Sequence, residues 1–437
     1  MVFAALIWRY SPNQGGKRAK ASGQAAIFSQ GKLTAAFLKQ PVRINYMIKN
    51  DKQHNIICFA GAKYDIPYWT NRQEIMSRVS KTHRVLYVEP RLFVLNILKD
   101  ILKNPAKFFK GIKKTDNLFI IGQINRLPFS RQSRLCNFIN QKINEFFVKK
   151  AARKFGFENP ILWIYDTEAC YYLGKMNEKF VLYDCVDKHE AQEGIKTHAE
   201  KVKQEEKIIL EKANAVAVTS KALFEEKKKQ NPNTFFVRNV GDFKRFNPEA
   251  LKNLEIPEDI KKIKRPIAGF VGAIDSYKLN IPLLRQISIL NGDVSFVLIG
   301  KAFIDKNSKE IEELKKRRNV YFLGPRDRKE IPAYVQAFDV CLIPYQKNEY
   351  NKYSFPLKFF DYMATGKPII ASGLPELEEF REVIDIIKTS EEFTEILRKV
   401  ILKGDSERSQ KRLEIASQNT WKIRTQKLLD ILEDNIK

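Results

Sequence analysis

The residues best suited to chemistry stand together in YSFPLKFFDYMATGKPII, residues 353–370. Ser354 has the side chain of a helix cap, Pro356 suits a first turn where a missing N–H costs nothing, and Gly366 suits a left-handed exit. The spacing predicts a helix beginning near Ser354 and leading into strand KPIIAS. Free N–H groups at such a start, together with the helix dipole, attract an anion, and Lys358 in the first turns adds a full positive charge. A diphosphate fits that chemistry. Asp361 lies near the same end of the helix, where a carboxylate can accept hydrogen bonds from two ribose hydroxyls. A capped surface helix with an ordinary Lys and Asp accounts for these residues equally well, so the stretch needs context.

Other chemistries find little support. The cysteines, Cys58, Cys136, Cys170, Cys185 and Cys341, are widely spaced and form no Cys-x-x-Cys pair, which argues against structural zinc and a disulfide framework. Cys58 and Cys341 lie in apolar, strand-like runs, where cysteine behaves as a small hydrophobe. A reducing, cytoplasmic setting is expected. His54, His83, His189 and His198 lack the His-Glu-x-x-His type of spacing, so no metal cofactor is expected.

The elements that must position the site begin at Asn55. From there, short runs rich in Val, Ile and Phe alternate with longer stretches of helical period, the pattern of repeated βαβ units. Strands are expected at 55–61, 84–89, 117–122, 160–165, 179–184, 214–219 and 234–239. The pattern pauses over a charged stretch at about 245–265 and restarts at 267–273, 294–300, 319–323, 338–344 and 367–372. This is an α/β chain of two Rossmann-like parallel-sheet domains, 47–245 and 266–406, joined by a linker at 246–265. Residues 407–435 read as one long amphipathic helix, with 407–437 expected to cross back to the N-terminal domain. Doubly wound sheets bind ligands beyond the carboxyl ends of their strands, so two such domains imply a cleft between them.

Composition sets the outer limits. The chain has 437 residues, more than one hydrophobic core usually serves, and 77 Lys plus Arg against 51 Asp plus Glu gives 77 − 51 = +26. Its 30 Phe, 16 Tyr and 4 Trp are too apolar for a disordered polyelectrolyte. No apolar run approaches the roughly 20 residues needed to span a bilayer. The charge raises nucleic-acid binding as an alternative, but the basic residues are spread along the chain and no helix-turn-helix, RNP-type or zinc-finger signature is present, so no nucleic-acid partner is expected. Residues 1–46 hold seven Lys or Arg, no acid and no sustained period, and read as an extension upstream of Met47. Residues 91–114 hold seven Lys or Arg against Asp100 alone, with apolar residues at helical spacing. Such a basic amphipathic helix reads as a peripheral membrane contact, or else as a core-facing helix with a solvated back.

With these elements placed, NEYNKYSFPLKFFDYMATGKPIIAS resembles the nucleotide-sugar-binding motif of retaining GT-B glycosyltransferases, especially a subgroup with the pattern Pro-x-Lys-x-x-Glu-Tyr that includes teichuronic acid and capsule biosynthesis enzymes. Other segments follow in that family's order, among them HRVLYVEP, YDCVDKHEA, RNVGDFKRF, GFVGAIDSYK, VYFLGPRDRKEIPAYVQAFDVCLIPY and a terminal helix containing NTW. The resemblance covers nearly everything after residue 50. It implies a GT-B fold and transfer of a sugar from a nucleoside diphosphate sugar to a hydroxyl, with retention. The implied acceptor is a lipid-linked surface glycan, which would place the protein on the inner face of the membrane. The implied donor-binding residues are Ser354, Phe355, Pro356, Leu357, Lys358 and Asp361 in the motif, and Gly272, Lys278 and Arg326 in the loops before it. Asp187 and His189 are implied at the reacting centre, with Gly61 beside the acceptor.

The sequence also departs from the family. Its Glu-x7-Glu motif has Tyr353 in place of the first acid and the shorter Asp361 in place of the second. Ala273 stands where the family usually has Arg, while Lys278 occupies the position of a phosphate-binding Lys. A solvated loop position for Lys278, a helix cap for Asp187 and a tight turn for Gly61 are the corresponding structural readings. A GT-B-fold nucleotide-sugar epimerase is the other enzyme class compatible with the same donor site.

Overall fold

The computed structural model describes residues 52–93, 113–115, 117–125, 127, 133–192, 197–303 and 309–436. The extension 1–46 and residues 94–112 of the basic stretch lie outside the described residues. Every expected strand forms. The first sheet has the spatial order β3 (Lys113–Thr115), β4 (Leu118–Asn125), β2 (Arg84–Phe93), β1 (Asn55–Phe59), β5 (Ile161–Ile164), β6 (Phe180–Cys185), β7 (Ala215–Val218) and β8 (Thr234–Phe236). All of its pairings are parallel except that of β3 with β4. The second sheet is wholly parallel, in the order β11 (Val320–Gly324), β10 (Ser295–Ile299), β9 (Ile267–Val271), β12 (Val340–Pro344), β13 (Ile369–Ser372) and β14 (Asp385–Ile386).

The short edge strands β3 and β14 are additions to the expected set. The central strands are buried on both faces, which is why NIICF and VCLIP read as continuous apolar runs instead of alternating ones. In the first sheet β1 pairs with β2 on one side and β5 on the other, with Ile57 opposite both Leu86 and Leu162. In the second, β9 lies between β10 and β12. The winding direction reverses at β1/β5 and at β9/β12, and crevices open beyond the carboxyl ends of strands at such points. Gly61 and Asp166 follow β1 and β5, while Gly272 and Tyr345 follow β9 and β12.

One expectation about the connections changes. The stretch 246–265 carries helices Pro248–Lys252 and Glu258–Lys261, and Phe246, Ile260 and Ile263 sit in the second core. Burial of those few apolar residues holds this linker on that domain. The terminal segment is two helices, Ser406–Ser417 and Trp421–Asn435, instead of one. Arg412, fully buried on the first, donates to the carbonyls of Gly366 at 3.0 Å and Val383 at 2.7 Å in the second domain. On the second helix, Trp421, Leu428, Leu429 and Leu432 pack with Ile56, Tyr87 and Ala215 of the first domain, and Arg424 pairs with buried Asp184 at 3.0 Å. The break between them, capped by the Thr420 hydroxyl on Ile423 N, lets the chain change partners.

Candidate functional site

The helix of the motif runs from Lys358 to Ala364, starting later than expected. Ser354 does not cap it; its hydroxyl donates to the Tyr350 carbonyl at 3.0 Å and so belongs to the preceding helix Glu349–Lys352. The intervening residues are drawn out by burial. Phe355 enters an aromatic cluster with Phe359, Phe360 and Phe380, and its carbonyl accepts from Asn239 Nδ2 at 2.8 Å. Pro356 is buried and its carbonyl accepts from Phe359 N, while Leu357 packs against the first-domain core. These residues set the height at which Lys358 enters the crevice.

Lys358 Nζ donates to Tyr345 Oη at 2.9 Å and lies 4.2 Å from the centre of the Phe270 ring. A Cβ on Gly272 would stand 2.6 Å from that nitrogen, and Gly272 has φ +148°. The loop after β9 therefore passes directly beneath the ammonium because it carries no side chain there. Burial, and then the charge of Lys278, push Lys358 down to about 7; Asp275 and Asp361 oppose the shift. Lys278 is half-buried, with its N–H donating to Asp275 Oδ1 at 2.7 Å and its Nζ 5.1 Å from the Tyr350 ring. Two cations thus share a crevice in which at least one is poorly solvated. An anion bound there would relieve both.

Asp361 sits differently from its sequence reading. Its Oδ1 accepts the Asp242 N–H at 2.7 Å, and burial raises it to about 7. One of the two oxygens meant for ribose hydroxyls is committed to the main chain. Arg326 is also engaged, pairing with Asp259 at 2.6 Å and donating to Tyr334 Oη at 2.6 Å.

The first domain approaches the same crevice through residues 187–191. Asp187 Oδ1 accepts from Tyr350 Oη at 3.1 Å, and the Tyr277 hydroxyl donates to the Ala191 carbonyl. Tyr350 consequently touches Asp187 on one side and carries Lys278 over its ring on the other. Asp187 caps no helix; the short turn His189–Ala191 has Lys188 in the cap position. Lys188 pairs with Glu226 at 2.8 Å and lies 4.0 Å above the Tyr353 ring. The aromatic residue at the family's first acid position is therefore a platform for a lysine. His189 is buried and its Nε2 has no hydrogen-bond partner among the described residues. Burial lowers its pKa, so the imidazole is neutral near pH 7. Behind it Glu206 accepts from Tyr183 Oη at 2.7 Å and Lys227 Nζ at 2.8 Å.

Gly61, with φ +63°, turns the chain so tightly that a Cβ would stand 3.0 Å from Asp166 Cβ. It lines a small pocket with Arg91, Gln123, Asp166, Glu168 and Tyr172. Burial, then Glu168, raise Asp166 to about 6. Arg91 donates to Glu168 at 2.8 Å from within β2, and Lys113–Thr115 form β3, so both ends of 91–114 are strand and not the expected helix.

Residues 265–401 match the family described as Glycosyl transferases group 1. That match spans the second sheet, from β9 to β14. TuaH of Bacillus subtilis, whose name places it among teichuronic acid biosynthesis glycosyltransferases, is 26% identical over 214 residues, which cover 46% of this chain and 52% of TuaH. The chain thus spans about half the length of the curated relative it matches. Anabaena HepE, solved in complex with UDP and glucose, superposes with a TM-score of 0.62 at 15% identity, covering 87% of this chain and all of HepE. Sucrose-phosphate synthase from Thermosynechococcus elongatus gives 0.64 at 16%, covering 88% and 99%. Together with the two parallel sheets, these likenesses establish the GT-B fold.

Within this GT-B frame, Gly272, Lys278 and Lys358 meet at the switch point of the second sheet, opposite Asp187 and His189. Asp166, Tyr345 and Tyr350 escaped the sequence reading. A signal existed for the first two, since each directly follows an apolar strand run, in ILWIYD and VCLIPY. Nothing in the sequence marked Tyr350 as a residue that reaches Asp187 in the other domain.

Proposed function

We propose that this protein is a glycosyltransferase that moves a sugar from a nucleoside diphosphate sugar to a hydroxyl of a lipid-linked cell-surface glycan, with retention at the anomeric carbon. The observation that carries the reading is Lys358, a lysine held near pKa 7 beside a second cation, over a glycine loop at the switch point of a group 1 domain. Such a site gains most from a ligand with two negative charges. The complexes of HepE with UDP and UDP-glucose support a nucleotide-sugar donor.

As the bond from the anomeric carbon to the diphosphate oxygen breaks, negative charge grows on the leaving group, and Lys358 and Lys278 are already in place to stabilise it. The acceptor oxygen attacks from the same face and its proton passes to the departing phosphate oxygen. Asp187 orients the acceptor hydroxyl, and neutral His189 offers its unpartnered Nε2 to a sugar hydroxyl. A lipid-linked acceptor would bring the protein to the inner face of the membrane as a peripheral enzyme.

The test is a thermal-shift panel of UDP, GDP, ADP and TDP and their sugars on the full chain, followed by transfer from the best donor to membrane lipid extracts. One nucleotide series should raise the melting temperature, and labelled sugar should enter the lipid fraction. If no nucleoside diphosphate stabilises the protein at millimolar concentration, the reading fails. Release of isotope from C2 of the sugar without acceptor would instead establish an epimerase.

A further inference from the structure

The helix Arg134–Lys154 packs against β4 with Val148, Ala151 and Ala152 in the core, but its first turns depart from the usual pattern. A helix on a soluble domain turns its apolar stripe to the core and its polar residues to water. Here the face toward the sheet carries Asn140 and Asn144, 0% and 2% exposed. Asn140 exchanges hydrogen bonds with the N–H and carbonyl of Leu127, both at 2.9 Å, and Asn144 accepts from Ile124 N at 3.0 Å. Asparagines are needed there to satisfy main chain at the end of β4. The outer face carries Leu135, Phe138 and Phe146, which are 67%, 55% and 60% exposed. At 100° per residue these three fall within one third of the helix circumference, in line with Lys142, Lys149 and Arg153. Large apolar side chains in a row, left in water on a face that the fold does not need, mark a surface made for an apolar partner.

The charges on the helix name the partner. Against Lys142, Lys149, Lys150, Arg153 and Lys154 the helix has a single acid, Glu145, which is itself paired with Lys149 at 2.7 Å and Lys142 at 3.5 Å. A protein groove would have to be both apolar and strongly acidic to match this stripe, whereas an anionic bilayer has an apolar interior beneath a negative surface. The helix is 21 residues long, and no helix among the described residues is long and apolar enough to cross a membrane. A length of about 31 Å suits lying in the interface plane.

We propose that the outer face of Arg134–Lys154 docks the protein on anionic lipid, with Leu135, Phe138 and Phe146 entering the headgroup boundary and the long basic side chains interleaved with them reaching back to lipid phosphates. Arg91 Nη1 donates to Asn137 Oδ1 on this helix at 3.3 Å, so docking sets the Gly61 pocket at the bilayer. That last consequence rests on the transferase reading; the docking itself stands without it.

The full chain is sedimented with vesicles of phosphatidylcholine alone and of phosphatidylcholine mixed with phosphatidylglycerol, with no nucleotide sugar present. Binding is expected to the anionic vesicles and to weaken with salt. The combined variant Leu135→Ser, Phe138→Ser, Phe146→Ser should lose about tenfold or more of that affinity with an unchanged melting temperature, because none of the three side chains is buried. Lys142→Glu with Lys150→Glu and Arg153→Glu should remove the preference for anionic lipid. Phe146→Trp, which keeps the face apolar, should gain emission that brominated lipid quenches, and this arm decides if the serine variant fails to fold. A wild type that stays in the supernatant, a serine variant that binds as wild type, or emission from the Phe146→Trp variant that brominated lipid leaves unchanged overturns the proposal. So does a dimer in sedimentation velocity that the serine variant abolishes, which would assign the face to a second copy.

Discussion

A lysine with a pKa near 7 makes predictions that a solvated loop lysine does not. The folded-state pKa of Lys358 lies below its unfolded value, so between about 7 and 10.5 the unfolded chain binds more protons and stability rises with pH. Lys358→Met should melt higher than wild type at pH 6, and the advantage should shrink as the pH approaches 10. Nucleoside diphosphate binding should recharge the amine. Calorimetry at pH 8 in buffers of different ionisation enthalpy should then show uptake of close to one proton, absent in Lys358→Met. Lys358→Ala should weaken binding of the nucleoside diphosphate by about 1.5–3 kcal/mol, the range of hydrogen bonds to charged groups. Equal affinity and no proton uptake in the wild type would place the diphosphate elsewhere. Asp361 has the opposite sign: raised to about 7, it makes the folded state bind more protons, so its contribution to stability falls between pH 4 and 7.

Among the elements, the contact that decides the site is that of helix Lys358–Ala364 with the segment entering the second domain. A Cβ on Gly241 would stand 2.6 Å from both Asp361 N and Phe360 C, atoms of helix main chain that cannot give way as a side-chain tip could. Gly241→Ala should therefore cost about 1–3 kcal/mol, the range for overpacking, read by urea denaturation. It should also lengthen the hydrogen bond from Asp242 N to Asp361, and with it lower affinity for the nucleoside part more than for pyrophosphate. A variant as stable as wild type would mean that the seam is looser than the contact implies. The glycine is thus tied to the site by backbone proximity, since it has no side chain to contribute.

At the scale of the whole molecule, the last two helices tie the domains together, Ser406–Ser417 lying on the second and Trp421–Asn435 on the first. Arg424 and Asp184 are both buried, the pair spanning the joint between Trp421–Asn435 and β6, and Arg424 Nη1 also donates to the carbonyl of Arg238 at 2.8 Å. Removing one partner leaves the other charge buried and alone, so Arg424→Ala should destabilise by about 3–5 kcal/mol in chemical denaturation. A loss under about 1 kcal/mol would show that water reaches the joint. Across the crevice ion pairs such as Arg328 with Glu74 and Arg238 with Glu379 act beside hydrogen bonds such as Tyr350 to Asp187, so Tyr350→Phe, which removes one contact of several, should leave both the melting temperature and the small-angle scattering profile nearly unchanged.

The sequence by itself determined the strand pattern, because strands buried on both faces must be apolar throughout and so stand out between amphipathic helices. It determined the two-domain α/β plan and the motif 353–370 for the same local reason, and Lys358 and Gly366 could be read from spacing to a helix. What it could not show is where that helix starts: the aromatic cluster around Phe355 and the bond from Asn239 hold 354–357 out of it, and both partners are distant in the chain. Nor could composition tell that the charged stretch 246–265 is pinned by Phe246, Ile260 and Ile263, or that the final helix breaks at the domain boundary. Only the tertiary structure brings Gly272 beneath Lys358, commits one oxygen of Asp361 to Asp242, and sets Tyr350 between Asp187 and Lys278. Each of these depends on the fold bringing distant chain segments within a few ångströms, a distance that residue type and local spacing do not encode.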